Sequence, residues 1–260
     1  MDRITSLKSS LRSSNLTIGS WITLGHTSVA EIMAKAGFEW LTIDMEHSAI
    51  TLDHAQQLIQ IIDLCECVPL VRVGSNDPHI IKRVMDAGAH GVIVPMVNNK
   101  EDAERAVGAV KYPPAGFCGV GLARAQSYGV DFEGYKRWNE TESVVKCIEA
   151  VKNLEMILAV DGVDAFIVGP YDLSASLGVS GQFDHPKVIA ALSEVQRIAT
   201  ELNAVAGYHI VSPDSKQVVE KIRQGYRFLA YSTDFLFLGD SCRGGLRDIR
   251  QFLKEGDNNE

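Results

Sequence analysis

Apolar runs rich in β-branched residues recur along this 260-residue chain every 20 to 40 positions, and a stretch with helical periodicity follows each one. Strands are predicted near 18–24, 40–44, 68–73, 91–96, 144–149, 164–169, 204–210 and 227–232. Helices are predicted near 28–36, 52–65, 78–87, 99–110, 150–159, 186–202, 214–224 and 243–254. The strands are nearly continuous in apolar character, as strands covered on both faces are. Eight such βα units describe an α/β chain closed into a (β/α)8 TIM barrel. Gly37, Gly88 and Gly225 fall just after predicted helices, where a left-handed terminating residue is wanted. No Ser/Pro-rich linker or charge block interrupts the alternation, and 46% hydrophobic content is ample for a core. Residues 1–260 are therefore expected to form a single domain.

A parallel barrel brings the carboxyl ends of all its strands to one mouth, so residues remote in sequence become neighbours there. The residues predicted at those ends are Asp44, Glu46 and His47 in LTIDMEHS, Arg72 in PLVRV, Glu149 in VVKCIE and Asp172 in IVGPYDLSAS. Carboxylates, an imidazole and a guanidinium gathered at one mouth suit a divalent metal holding an anionic substrate. Glu149 and Asp172 are equally good helix-start residues, so metal ligation and capping both remain open for them. Strand phase puts Asp44 and Glu46 on one face, and His47 at the turn can be oriented by a carboxylate for acid–base work. Arg72, in an otherwise apolar strand, needs either a substrate oxyanion or an ion pair with Asp44 or Glu46. The run from Gly169 to Ser174 offers backbone N–H groups to a carboxylate. The remaining histidines, His26, His54, His79, His90, His185 and His209, are expected mainly in loops or helices with solvated or core roles.

The formal charge of −8 and pI near 5.4 argue against nucleic acid or an anionic membrane as partner, since both select a basic surface. The N-terminus lacks the apolar core of a signal peptide, and no apolar run reaches the roughly 18 residues of a membrane span. A cytoplasmic protein is expected. The cysteines, Cys65, Cys67, Cys118, Cys147 and Cys242, are odd in number and irregularly spaced, as free thiols in a reducing compartment are.

Two features break the pattern. The segment 111–143, with Pro113, Pro114 and several glycines, is too long for an ordinary connection and is expected to be an ordered loop beside the mouth or a contact to a neighbouring subunit. Asp86 sits in the last turn of a predicted helix, facing the negative end of its dipole, so another contact should compensate.

The segments GSWITLGHTSVAEIMAKAGFEWLTIDMEHSAI, VRVGSNDPHIIKRVMDAGAHGVIVPMVNNKEDAERAV, KYPPAGFCGVGLARAQSYG and GVDAFIVGPYDLSASLG, in this order, resemble the HpcH/HpaI aldolase family over roughly residues 15 to 240. The resemblance implies a class II pyruvate aldolase: reversible cleavage of a 4-hydroxy-2-oxo acid to pyruvate and an aldehyde, with Mg²⁺, Mn²⁺ or Co²⁺ in place of a Schiff-base lysine. By motif position it makes Glu149 and Asp172 the metal ligands and Arg72 the residue that holds the keto oxygen. It makes His47, oriented by Asp44, the acid–base dyad, and Glu46 the holder of metal-bound water. Trp21 would stand near the pocket entrance, Ser174 and Asp172 would meet substrate, and Asp86 would reach a neighbouring subunit's site. The resemblance also implies a homohexamer, a trimer of dimers exchanging their last helix. Many relatives have Gln at the position of Cys147 and Ala at that of Tyr171, so both residues are expected to alter substrate preference. Within the same superfamily, oxaloacetate decarboxylation or cleavage of a CoA thioester is the alternative activity. A non-catalytic 2-oxo acid binding barrel is the alternative outside catalysis.

Overall fold

In the computed structural model, which describes residues 4–147 and 151–257, eight parallel strands close in sequence order into a barrel. They are β1 (Thr17–Ile22), β2 (Trp40–Asp44), β3 (Val68–Arg72), β4 (Gly91–Val94), β5 (Val144–Cys147), β6 (Ala165–Val168), β7 (Ala206–Ile210) and β8 (Phe228–Thr233). The helices are α1 (Ile4–Arg12), α2 (Thr27–Lys35), α3 (Leu52–Leu64), α4 (Pro78–Asp86), α5 (Lys100–Val110), α6 (Phe132–Thr141), α7 (Leu154–Leu158), α8 (Pro170–Ser176), α9 (Pro186–Glu201), α10 (Ser215–Arg223) and α11 (Asp234–Asp257). The predicted strands are found, most of them one or two residues shorter than expected, and the predicted end of β5 lies outside the described residues. Gly37, Gly88 and Gly225 follow α2, α4 and α10 with φ of 101°, 99° and 94°, the left-handed cap that favours glycine.

Several elements differ from the expectation for identifiable reasons. Segment 111–143 contains α6 and a 3-10 turn at Arg124–Gly129. It packs away from the mouth: Arg124 bonds Asp63 at the end of α3 at 2.7 Å and reaches the Ala87 carbonyl beyond α4. An ordered loop beside its own chain's mouth is thereby excluded. The last helix begins at Asp234, nine residues before the predicted start. Gly239, Gly244 and Gly245 hid its first half, since each glycine weakens a helical pattern. The 150–159 helix shrinks to the single short α7. Helix α1 was not anticipated, because its polar face obscures the buried Leu7 and Leu11.

That helix closes the amino-terminal end of the barrel. Leu7 and Leu11 join Trp40, Val68, Val144 and Phe228 in one buried interior cluster. The Lys8 ammonium enters with them, donating to the Ser143 carbonyl at 2.9 Å and pairing with Asp164 at 3.1 Å, so its own charge is matched. Trp40 stacks on Phe228 with ring centroids 4.2 Å apart. Gly19 makes room for that indole, since a Cβ on it would lie 2.0 Å from the ring. Cys65, Cys67, Cys118 and Cys242 are free thiols, and among the described residues no helix is long and apolar enough to cross a membrane.

Gly19→Ala is therefore expected to cost about 1–3 kcal/mol by overpacking against an immobile ring. A fall in the urea midpoint of that size, larger than the fall for Gly121→Ala, whose added Cβ meets nothing within 4 Å, checks it.

Candidate active site

The chemistry collects where β2 and β3 end. Their register pairs Asp44 with Arg72, so carboxylate and guanidinium emerge side by side at the mouth. Arg72 binds in a fork: Nε donates to Asp44 Oδ1 at 2.9 Å and Nη2 to Oδ2 at 2.5 Å, with the two side chains only 12% and 3% exposed. Glu46 comes within 3.3 Å of the same Nε. Burial works to raise the Asp44 pKa, but the Arg72 bonds and charge, together with the backbone N–H groups of His47 and Glu46, outweigh it. Asp44 is therefore held below the ordinary carboxylate range. Glu46 moves the other way: burial and the like charges of Asp44 and Asp172 prevail over Arg72 and His47, and its pKa is raised.

His47 reaches this group differently from the expectation. Asp44 Oδ1 accepts the backbone N–H groups of Glu46 and His47 at 3.0 and 3.2 Å, while both its oxygens are committed to Arg72. The carboxylate thus fixes the turn and leaves the imidazole free. The ring lies 63% exposed, with Nε2 3.7 Å from Glu46, which is its charged neighbour.

Trp21 is not at an entrance. It is 2% exposed and lies under the guanidinium, whose central carbon stands 4.3 Å from the ring centroid. Cation–π contact on one side and a bidentate carboxylate on the other fix the plane of Arg72. His209 lies in β7, within the predicted strand 204–210, with its ring 5.4 Å from Trp21. Burial, helped by the charge of Arg72, lowers its pKa to about 4, so it is neutral. Trp21 Nε1, Thr42 Oγ1, His209 Nε2 and Thr233 Oγ1 are all buried without a hydrogen-bond partner among the described residues. Buried polar atoms are costly to leave unmatched, so this inner wall is unlike the aliphatic layers below it. A histidine in phase with the barrel interior was the available sequence signal for His209.

The opposite side of the mouth is formed by α8, which starts directly after β6. Gly169 is its N-cap and has no side chain to cap with, and the Asp172 carboxylate stands in the first turn. Asp172 is exposed and close enough to Glu46 to raise that residue's pKa. Gly169 must be small, because a Cβ there would lie 2.7 Å from Asp172 Oδ2. Tyr171 is 53% exposed. Ser174, expected at the substrate, is fully buried; its hydroxyl donates to the Tyr171 carbonyl at 2.9 Å and accepts from Gly181 N–H at 3.0 Å. It fastens α8 to the following loop. Glu149 lies outside the described residues, as does the side chain of Cys147, the last residue of β5. Among the described residues no three His, Cys, Asp or Glu side chains converge into a ready-made metal cluster.

Asp86 is not brought to this group. Helix α4 runs away from the mouth, and Asp86 ends it at the far rim beside Lys82 and Gln126. Burial raises its pKa, against the lowering effects of those two neighbours. Two cavities of about 580 and 520 Å³ also lie elsewhere, one beside α5 and Phe117 and the other under α1, lined by Lys8 and Lys111.

Residues 17–238 match the family model described as HpcH/HpaI aldolase/citrate lyase. The chain belongs to that family. It is 38% identical over 233 residues to a 2-dehydro-3,6-dideoxy-6-sulfogluconate aldolase of Pseudomonas putida, covering 88% of this chain and 90% of that protein. Identity to a 4-hydroxy-2-oxo-heptane-1,7-dioate aldolase of Shigella sonnei is 37% over 239 residues, 90% of each. A crystal structure of a family member from Burkholderia cenocepacia superposes with a TM-score of 0.89 at 32% identity, over 95% of this chain and 99% of that one. This HpcH/HpaI protein is accordingly a carbon–carbon lyase of the aldolase type.

Breaking the central pair exposes its energetics. Arg72→Ala strands a buried carboxylate and is expected to cost about 3–5 kcal/mol, much of it recovered in Arg72→Met with Asp44→Leu. Because the folded pKa of Asp44 is depressed, its contribution is present above the unfolded pKa near 4 and is lost as pH falls through the folded value. Urea titrations from pH 7 to pH 2 should show the wild-type advantage over Asp44→Asn narrowing below about pH 4.

Proposed function

We propose that this mouth carries out reversible, divalent-metal-dependent retro-aldol cleavage of a 4-hydroxy-2-oxo acid to pyruvate and an aldehyde. The observation that carries the reading is a guanidinium locked in plane by Asp44 and Trp21 beside the facing carboxylates Glu46 and Asp172. The charge of Asp172 helps raise the pKa of Glu46, and crowded hard oxygen donors fit a hard dication such as Mg²⁺, Mn²⁺ or Co²⁺. Asp172 and, from the family motif, Glu149 would hold the metal, with Glu46 supporting its water. Bound there, the metal supplies a Lewis acid for the carboxylate and ketone of the 2-oxo acid.

The chain's own residues do the rest. Arg72 presents N–H donors to the C2 oxygen, where negative charge develops as the C3–C4 bond breaks. The two electrons of that bond pass to C3 as the enolate, and the C4 hydroxyl proton must leave as the aldehyde forms. His47, exposed and free to turn beside Glu46, is the base placed to take it and later to protonate C3. Trp21 and neutral His209 back the pocket without adding charge. Asp86 serves the mouth of a neighbouring copy, in keeping with its place at the far rim. The assembly is a hexamer in which α11, whose Leu238, Leu246, Ile249, Phe252 and Leu253 are each half or more exposed, covers that apolar stripe against another copy. Free thiols accord with a cytoplasmic setting.

Removing the metal with EDTA, or replacing Glu149 by Gln or Asp172 by Asn, is expected to lower pyruvate release at least about a hundredfold. Added Mn²⁺ should restore only the chelated wild type, with the fold intact by circular dichroism; undiminished release from either variant sinks the ligand assignment. Chains carrying Asp86→Asn and chains carrying Arg72→Ala, each nearly inactive alone, should regain activity when co-assembled, because some mouths then combine an intact Arg72 with an intact Asp86. No recovery in purified mixed oligomers means that Asp86 does not serve a partner.

A further inference from the structure

The indole of Trp21 carries the Arg72 guanidinium on its face, and its own N–H group is buried without a partner among the described residues. What surrounds it is set by register. Partnered residues of parallel strands point to the same side, and Trp21 points into the barrel with Trp40, Phe228 and Ala230. Its partners are Thr42 on β2 and Thr233 on β8. Alternation from Phe228 and Ala230 alone would turn Thr233 outward. It is brought in by a register shift between Gly19 and Trp21, where Ser232 takes a left-handed φ of 53°, a costly conformation for a residue with a side chain. The Ser20 hydroxyl lies 2.7 and 3.2 Å from the Tyr231 and Ser232 carbonyls, and the Ser232 hydroxyl donates to the Val211 carbonyl at 2.9 Å, so the irregular turn is fastened on both sides. Strand β7 then adds His209, with its ring beside the indole.

Among the described residues eight side-chain polar atoms are buried without a partner, and the four on Trp21, Thr42, His209 and Thr233 are gathered in this one layer. They are complementary in kind. Trp21 Nε1 can only donate. His209 bonds the Ser232 backbone in a way that favours the protonated ring, as donation from the other nitrogen to a carbonyl does, so in the neutral ring Nε2 can only accept. Each threonine hydroxyl can do either. A single water molecule, with two hydrogens and two lone pairs, matches that set: it accepts from Trp21 and one threonine and donates to His209 and the other.

We infer that Trp21, Thr42, His209 and Thr233 hold one internal water molecule beside the indole, and that His209 is a positioning residue, acting through this water and Trp21 on the plane of Arg72. The water site stands on the geometry, whereas its consequence for turnover rests on the pyruvate-aldolase reading above. The water fixes the indole, and the indole covers one face of the guanidinium. A tilt of the ring therefore moves the donors that Arg72 presents to the C2 oxygen.

Two measurements on the full-length protein test this. A high-resolution crystal structure is expected to show a water within about 3 Å of both Trp21 Nε1 and His209 Nε2, and to show it missing from His209→Leu, which keeps the bulk and removes the acceptor. With Mn²⁺ bound, exchange of the pyruvate methyl protons in D₂O is expected to lose about tenfold in kcat in His209→Leu, the scale of one buried hydrogen bond, with KM for pyruvate nearly unchanged. His209→Gln, whose amide oxygen reaches as far as Nε2, should recover most of the loss, and Thr42→Val, which keeps its shape, should lower kcat in the same direction. Density showing the four atoms bonded to one another, or no water among them, overturns the site and the role of His209 together. If the water is lost from His209→Leu while kcat stays as in the wild type, the positioning role fails and the water site stands. If the Mn²⁺-loaded wild type exchanges no methyl protons, the aldolase reading falls and takes the positioning role with it, and the density alone decides the water site.

Discussion

The fork between Arg72 and Asp44 is the interaction on which the mouth depends. Parallel register places the two residues opposite one another at the ends of adjacent strands, so the backbone ladder itself delivers the pair. Inside the barrel an isolated guanidinium would be prohibitively costly, and so would an isolated carboxylate. Together they are stable, and the geometry they adopt is narrow. Both Asp44 oxygens are occupied, the guanidinium plane is set, and Trp21 covers one of its faces. A lysine would neutralise Asp44 but would not define a plane. The same carboxylate accepts two backbone N–H groups from the turn that follows, so Glu46 and His47 are positioned by the pair as well.

Much of this was legible in the sequence. Strands covered on both faces announce themselves as apolar runs, and the carboxyl ends of such runs carry Asp44, Arg72 and Asp172. What escaped was governed by tertiary contact. Helix α1 is stabilised by the barrel floor that its Leu7, Lys8 and Leu11 enter, which a short polar-looking segment does not advertise. The first half of α11 carries three glycines that argue against helix locally. The orientation of His47 by Asp44 was anticipated through the ring, but Arg72 claims the carboxylate oxygens, and that competition is invisible to spacing. Ser174 was placed near substrate by motif, whereas its burial and its two bonds make it a fastener of the α8 loop. His209 does not stand out in sequence, because a lone histidine in an apolar strand looks like any satisfied core residue.

The two ends of the barrel divide the work. At the floor, buried ammonium groups are enclosed by acceptors: Lys8 by Asp164, and Lys111 by the carbonyls of Asn139 and Glu140 and the hydroxyl of Ser143. Such networks hold a fold together. At the mouth, carboxylates outnumber the guanidinium that pairs with them, and polar atoms of Trp21, Thr42, His209 and Thr233 go unmatched. Stability alone would have removed the surplus of carboxylates, which marks this rim as a surface shaped for something that binds.

Asp44 and Glu46, two residues apart and on one face, carry the argument one step further because their pKa values are pushed in opposite directions. Two carboxyl groups in one site whose environments separate them in this way are suited to different tasks. Asp44 is held ionised by Arg72 and by backbone donors, so its charge is a fixed part of the scaffold. Glu46 shares only one edge of the same guanidinium, and burial together with the charges of Asp44 and Asp172 disfavours its ionised form. A proton on Glu46 would relieve that repulsion and leave the position of Arg72, anchored on Asp44, untouched.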